Sequence, residues 1–173
     1  IRVPVSSIKR LGFSDPDWEP FAEDGIGSTG VYALAFSKIV DQEVYFSVLI
    51  PHNWKLGTDL HPHVHWSPSD TDTGSVTWKI EYTIADLGGV FGNTSEESVS
   101  DVGDGVVNKH QVADLTNIDM SSYTDPDDIA IKLLCRLYRD VSDGDDYNND
   151  AFLLEIDFHY QVDAIGSREE YTK

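Results

Sequence analysis

Apolar and polar residues alternate with a period of two through most of this chain. That pattern commits it to β-strands with one buried face. Over residues 76–84, Val76, Trp78, Ile80, Tyr82 and Ile84 fall on one side, and Thr77, Lys79, Glu81 and Thr83 on the other. Ile129, Ile131, Leu133, Cys135 and Leu137 alternate with Ala130, Lys132, Leu134, Arg136 and Tyr138. Towards the end, Phe152, Leu154, Ile156, Phe158, Tyr160 and Val162 alternate with Leu153, Glu155, Asp157, His159 and Gln161. Shorter strands are expected over 31–37, 43–50, 60–66 and 106–112, and the one helical candidate is a turn or two around 117–123.

Gly, Asp, Asn, Ser and Pro punctuate the segments between, as in 67–74 (SPSDTDTG), 88–93 (GGVFGN) and 142–150 (SDGDDYNND). About seven or eight strands with one apolar face each predict two packed antiparallel sheets. The expected fold is therefore all-β: an antiparallel β-sandwich of jelly-roll type, with a closed barrel as the alternative. Residues 31–165 form the sandwich domain in this reading. Residues 1–30, with Pro4, Pro16, Pro20, Gly25, Gly27 and Gly30, read as an extended N-terminal arm or irregular wrap, and 166–173 as a C-terminal tail.

Charge narrows the partners. The 173 residues carry 31 Asp+Glu against 12 Lys+Arg, a formal net charge of -19. Nucleic acid and anionic membrane are both held by Lys and Arg, so neither is an expected partner. Ile1 to Lys9 lacks the apolar core of a signal peptide. The chain is nonetheless 40% hydrophobic and 11% aromatic, which an acidic disordered chain is not, so the charge belongs on the surface of a folded domain. The single cysteine, Cys135, excludes an internal disulfide framework. It falls on an apolar strand face, where it serves as a small hydrophobe and not a nucleophile.

The run His61-Pro62-His63-Val64-His65-Trp66 is the most chemically suggestive. On a strand the three imidazoles share one face, and imidazoles two residues apart can converge on a metal ion. A His-x-His strand inside a jelly roll is the device of cupin metalloenzymes. Here no Glu follows at the expected spacing, and neither His110 nor His159 sits in a second cupin motif. Val64 and Trp66 claim the inward face, which leaves the histidines outside. His61, His63 and His65 are thus weak metal candidates, and no catalytic residue and no cofactor is assigned. The acidic loops 70–74 and 143–150 offer oxygen ligands but not the EF-hand pattern, and read as solvated turns.

The polar faces of several strands suggest an assembly surface. His61, His63 and His65 are expected to line up with Glu81, Arg136, Glu155, Asp157 and His159 outside one sheet, beside Trp54 and Trp66. The interface candidates are His61, His63, His65, Trp54, Glu155, Asp157 and His159, in a homo-oligomer. Two further readings are a cupin-like metal-dependent enzyme using His61, His63 and His65, and a carbohydrate-binding sandwich using Trp18, Trp54 or Trp66.

Ile50-Pro51-His52-Asn53-Trp54-Lys55, the run from Gly57 to Trp66, Trp78-Lys79-Ile80-Glu81-Tyr82, Gly88-Gly89-Val90-Phe91-Gly92 and the segment from Leu154 to Tyr160 resemble small structural proteins of tailed bacteriophage virions. The resemblance covers roughly residues 50–168. It implies a virion protein without catalytic residues. The expected role is capsid decoration (cement): a homotrimer on the capsid exterior that binds the major capsid protein and reinforces its lattice. A tail, neck or head-fibre component is the alternative within that class. The carboxylates concentrated in turns, such as Asp70, Asp72, Asp143, Asp145 and Asp146, suit an outward-facing location, since they would keep particles apart.

Overall fold

Two sheets share the strands of this chain, as the computed structural model shows over its described residues, 1–167, 169 and 172. The strands are β1 (Arg2–Pro4), β2 (Asp17–Ala22), β3 (Val31–Phe36), β4 (Gln42–Leu49), β5 (His61–Pro68), β6 (Ser75–Ala85), β7 (Ser95–Val102), β8 (Gln111–Asp114), β9 (Lys132–Arg139) and β10 (Ala151–His159). One sheet has the order β2-β3-β10-β5-β8, with β1 also paired to β10; the other has the order β4-β9-β6-β7. Every ladder is antiparallel. This is the expected β-sandwich, and the strand order is a jelly roll.

The core forms where the two inner faces meet. Leu34 and Phe36 of β3, Val64 and Trp66 of β5, and Ile156 and Phe158 of β10 oppose Val44 and Val48 of β4, Trp78 and Ile80 of β6, and Leu133 and Leu137 of β9. Each of these is no more than 1% exposed. Phe36 meets Trp78 edge-to-face at 5.1 Å between ring centroids, joining the sheets through a favoured aromatic geometry. The alternating sets of β6 and β9 point inward as expected.

Strand β10 departs from simple alternation. Its register against β5 shifts between Leu153 and Glu155, so one extra residue reverses the faces. Leu153, Ile156 and Phe158 enter the core. Phe152 turns outward and packs with Ala33, Ala35, Phe21 and Leu154 in a small cluster on the outer face.

Residues 1–30 contain β1 and β2, and the segment before β2 wraps the sandwich's own edge. Phe158 donates its N–H to the Ile1 carbonyl at 2.8 Å, while Lys9 exchanges backbone hydrogen bonds with Tyr45 of β4 at 2.7 and 2.9 Å. Residues 1–9 therefore cross from one sheet to the other and cover the β4 edge, whose backbone would otherwise be open to pairing. The strand expected over 106–112 begins only at Gln111, β7 occupies a stretch too polar to read as a strand, and 117–123 contains a bridge at Ile118 and a turn, not a helix. A 3-10 turn at Val5–Ser7 is the helical element among the described residues, so none of their helices is long and apolar enough to cross a membrane. Of the tail expected over 166–173, residues 168, 170, 171 and 173 lie outside the described residues.

The two acidic loops meet each other at one end of the sandwich. Asp72 accepts from the Asn148 backbone at 2.7 Å, Asp146 accepts from the Ser75 N–H at 2.5 Å, and Asp70 accepts from the Tyr147 hydroxyl at 3.2 Å. Their oxygens serve as loop-to-loop acceptors, which corrects the reading of these turns as merely solvated.

Candidate functional site

Two outer faces carry clustered chemistry. On the first sheet, β5 and β10 run antiparallel with His61 opposite His159, His63 opposite Asp157 and His65 opposite Glu155. Side chains opposite one another on a strand pair stand within contact distance, so this register gathers the imidazoles around one carboxylate. His63 Nδ1 lies 3.1 Å from Asp157 Oδ1, His159 Nε2 3.3 Å from Oδ2, and His65 Nε2 3.7 Å from Oδ2. The donor atoms of His63, Asp157 and His159 all lie within 4.8 Å of one another. Asp157 is only 9% exposed although it faces outward.

The sequence-derived grouping holds for six residues of one face: His61, His63, His65, Glu155, Asp157 and His159. Trp54 does not belong with them. It is 3% exposed, in the core, with its indole N–H donated to the Thr58 carbonyl at 2.9 Å. Trp66 is fully buried as well, so of the tryptophans proposed for sugar contact only Trp18 reaches the surface. Glu81 and Arg136 lie on the opposite sheet, because β6 and β9 belong there.

On that second sheet, Tyr45, Arg136, Glu81 and Glu96 form a row directly across β4, β9, β6 and β7. Arg136 donates from Nη1 to Glu43 Oε2 at 2.6 Å and from Nε to Glu81 Oε2 at 2.9 Å. Its guanidinium also lies over the Tyr138 ring, 4.1 Å from the centroid, a cation–π contact. Tyr45 donates its hydroxyl to Glu43 Oε1 at 2.8 Å, and burial raises its pKa. Above this row opens a groove of about 570 Å³ lined by Glu43, Tyr45, Glu81, Thr94, Leu134 and Arg136. One wall comes from the β6–β7 loop, where Thr83 donates its hydroxyl to the Gly92 carbonyl at 3.0 Å; the same loop exposes Val90 and Phe91. Cys135 lies beneath, buried, with its thiol pKa pushed up to about 12 by desolvation, which keeps it a protonated, inert hydrophobe.

Sequence reasoning missed this groove. Its signal is present as the polar halves of two alternations, Glu43-x-Tyr45-x-Ser47 and Leu134-x-Arg136-x-Tyr138, which become one surface only when β4 and β9 pair.

No family model matches the chain, and neither does any curated protein sequence. Solved structures similar to it are sandwiches of low identity. One is a family 35 carbohydrate-binding module from Clostridium thermocellum, at TM-score 0.46 and 13% identity, covering 90% of this chain and 95% of that one. Another is the CBM22-1–GH10 portion of a Clostridium thermocellum xylanase complexed with xylohexaose, at TM-score 0.44 and 13% identity, covering 96% of this chain and 28% of that one. A third is a CBM28 module specific for non-crystalline cellulose, at TM-score 0.37 and 11% identity, covering 83% and 88%.

Proposed function

We propose that this chain is a non-catalytic binding protein that takes a neutral glycan along the outer face of the β4-β9-β6-β7 sheet. The observation that carries the reading is Arg136, clamped between Glu43 and Glu81 on the groove floor. Two of its nitrogens are committed to carboxylates, and Nη2 makes no hydrogen bond among the described residues. Binding sites of this kind combine a few fixed polar groups with apolar and aromatic lining, and here Tyr45 and Leu134 supply the latter. A guanidinium and two carboxylates held on rigid strands suit paired hydroxyls, which both donate and accept. The flanking carboxylates and the net charge of -19 disfavour uronate-rich or sulfated polymers.

Affinity electrophoresis on soluble β-glucan, xylan, galactan and polygalacturonate tests this. The protein is expected to be retarded by at least one neutral polymer and not by polygalacturonate. Tyr45→Ala and Arg136→Ala should each remove the retardation. Free migration on every neutral polymer, or retardation unchanged in both variants, would reject the groove as a glycan site.

A second reading is a capsid decoration protein, bound as a trimer to the major capsid protein on the shell exterior. What favours it is apolar surface from one stretch of chain: Leu11, Phe13, Trp18, Val31 and Tyr32 are 47–62% exposed. An apolar patch of this sort suits a large protein partner better than a soluble sugar. Co-sedimentation with assembled shells, together with light scattering for the trimer, checks it; a monomer that stays in the supernatant excludes it.

A further inference from the structure

The histidine face of the first sheet has no part in the groove, and its geometry is that of a metal centre. We infer that His63, Asp157 and His159 bind one divalent transition-metal ion of the zinc class, with His65 and His110 holding the carboxylate in place.

Donor spacing is the first argument. Ligands roughly 2.0–2.1 Å from a tetrahedral zinc ion stand about 3.3 Å from one another. His63 Nδ1 stands 3.1 Å from Asp157 Oδ1 and His159 Nε2 3.3 Å from Oδ2, spacings that both serve an ion held by the carboxylate through its two oxygens. His63 and His159 are themselves in edge-on ring contact, with centroids 4.4 Å apart.

Charge is the second. Asp157 is 9% exposed, and among the described residues its ion-pair partners are the imidazoles of His63, His65 and His159, while the Ile1 ammonium acts on it from beyond ion-pair distance and the Arg2 side chain turns to Glu155. A nearly buried carboxylate needs a compensating cation, and a bound metal ion supplies one without protonating any histidine.

Orientation is the third. Metal-bound histidines usually donate the far ring N–H to a carboxylate or another acceptor, which fixes the ring. With Nδ1 turned to Asp157, His63 presents Nε2 to Asp114 Oδ1 at 3.5 Å. His65 turns Nε2 to Asp157, and its Nδ1 lies 2.8 Å from His110 Nε2. His110 thus braces His65, whose Nε2 reaches Asp157 Oδ2, the oxygen that His159 also approaches.

Two imidazoles and one carboxylate leave coordination positions open for water or an exogenous ligand. The donor set suits zinc, cobalt and nickel rather than magnesium or calcium, which prefer all-oxygen sites. The inference differs from the sequence expectation, in which His61, His63 and His65 of one strand converge. The ligands instead come from two strands, and His61 stands outside the set.

Calorimetric titration of chelator-treated protein with Zn²⁺, and visible absorption with Co²⁺, test the site. One equivalent of saturable binding is expected, with cobalt bands in the visible. His159→Ala and His63→Ala should each weaken Zn²⁺ binding at least about tenfold, and His65→Ala about 10–100-fold as a positioning residue. His61→Ala, Tyr45→Ala and Arg136→Ala should leave it unchanged, so the metal and glycan sites stand or fall separately. The His159 side chain is 66% exposed, so its loss does not threaten folding even if Asp157→Asn does. Absence of saturable Zn²⁺ binding would overturn the inference. So would His159→Ala binding like the parent, which would mark scattered adventitious coordination by surface histidines.

Discussion

Arg139 and Asp145 form a two-bond pair sealed from solvent: Nε donates to Oδ2 at 2.8 Å and Nη2 to Oδ1 at 2.7 Å, with side chains 0% and 2% exposed. The remaining donors of Arg139 go to the carbonyls of Phe36, Asn149 and Tyr147 at 2.8–3.0 Å. One guanidinium therefore ties the end of β9 to β3 and to the acidic loop 143–150. Removing the cation alone leaves Asp145 charged and uncompensated, so Arg139→Met is expected to cost about 3–5 kcal/mol. Replacing both, Arg139→Met with Asp145→Leu, should recover part of that loss. Urea unfolding of the two variants measures it.

A second ion pair makes stability depend on acid. The Lys79 ammonium, 2.9 Å from Asp140, holds that carboxyl down at about 2. An unfolded Asp titrates at about 3.9. The folded value lies below the unfolded one, so the contribution is complete above about pH 4 and fades as pH falls through about 2. Lys79→Met should therefore lower stability at neutral pH by on the order of 1 kcal/mol, and the melting temperature with it. The gap to the parent should close in strong acid. Scanning calorimetry across that range checks the sign.

Asp101 has the opposite sign. Burial raises its carboxyl pKa although the Trp66 indole donates to Oδ2 at 2.7 Å. Because the folded value lies above the unfolded one, this group's contribution falls as pH rises through that interval. Asp101→Asn keeps an oxygen for the indole and removes the charge. Its melting temperature should exceed the parent's at neutral pH and equal it in acid.

Gly74 sits where the two acidic loops touch. A Cβ there would press on the Asp146 carbonyl and stand 2.7 Å from the Tyr147 Cα. Both are backbone, which cannot swing aside. Gly74→Ala is expected to cost about 1–3 kcal/mol, read by chemical denaturation, whereas Gly92→Ala, with open space around it, should be near neutral.

Local pattern was informative wherever a strand is buried on one side. Val76, Trp78 and Ile80, or Leu133, Cys135 and Leu137, show their inward face because burial demands an unbroken apolar set. The histidine face was legible for the same reason: once Val64 and Trp66 take the core, His63 and His65 must point out. β7 was not legible. It is an edge strand whose outer residues, Glu96, Ser98 and Ser100, meet solvent, so no apolar alternation is required of it. β2 was hidden by Pro16 and Pro20, which an edge strand tolerates.

Alternation and composition were enough for an all-β sandwich with an acidic surface, because period and burial act on neighbours in the chain. They could not say which strands pair. Tertiary structure alone placed Arg136 between Glu43 and Glu81, 93 and 55 residues away, and turned the shared face of His63 and His159 into a ring contact. It also reversed Phe152 through a one-residue shift, where the apolar run Phe152-Leu153-Leu154 breaks the alternation without saying which residue is the extra one. Sites on a sheet are made across strands, and cross-strand register is settled by the packing of the whole core rather than by any local run of residues.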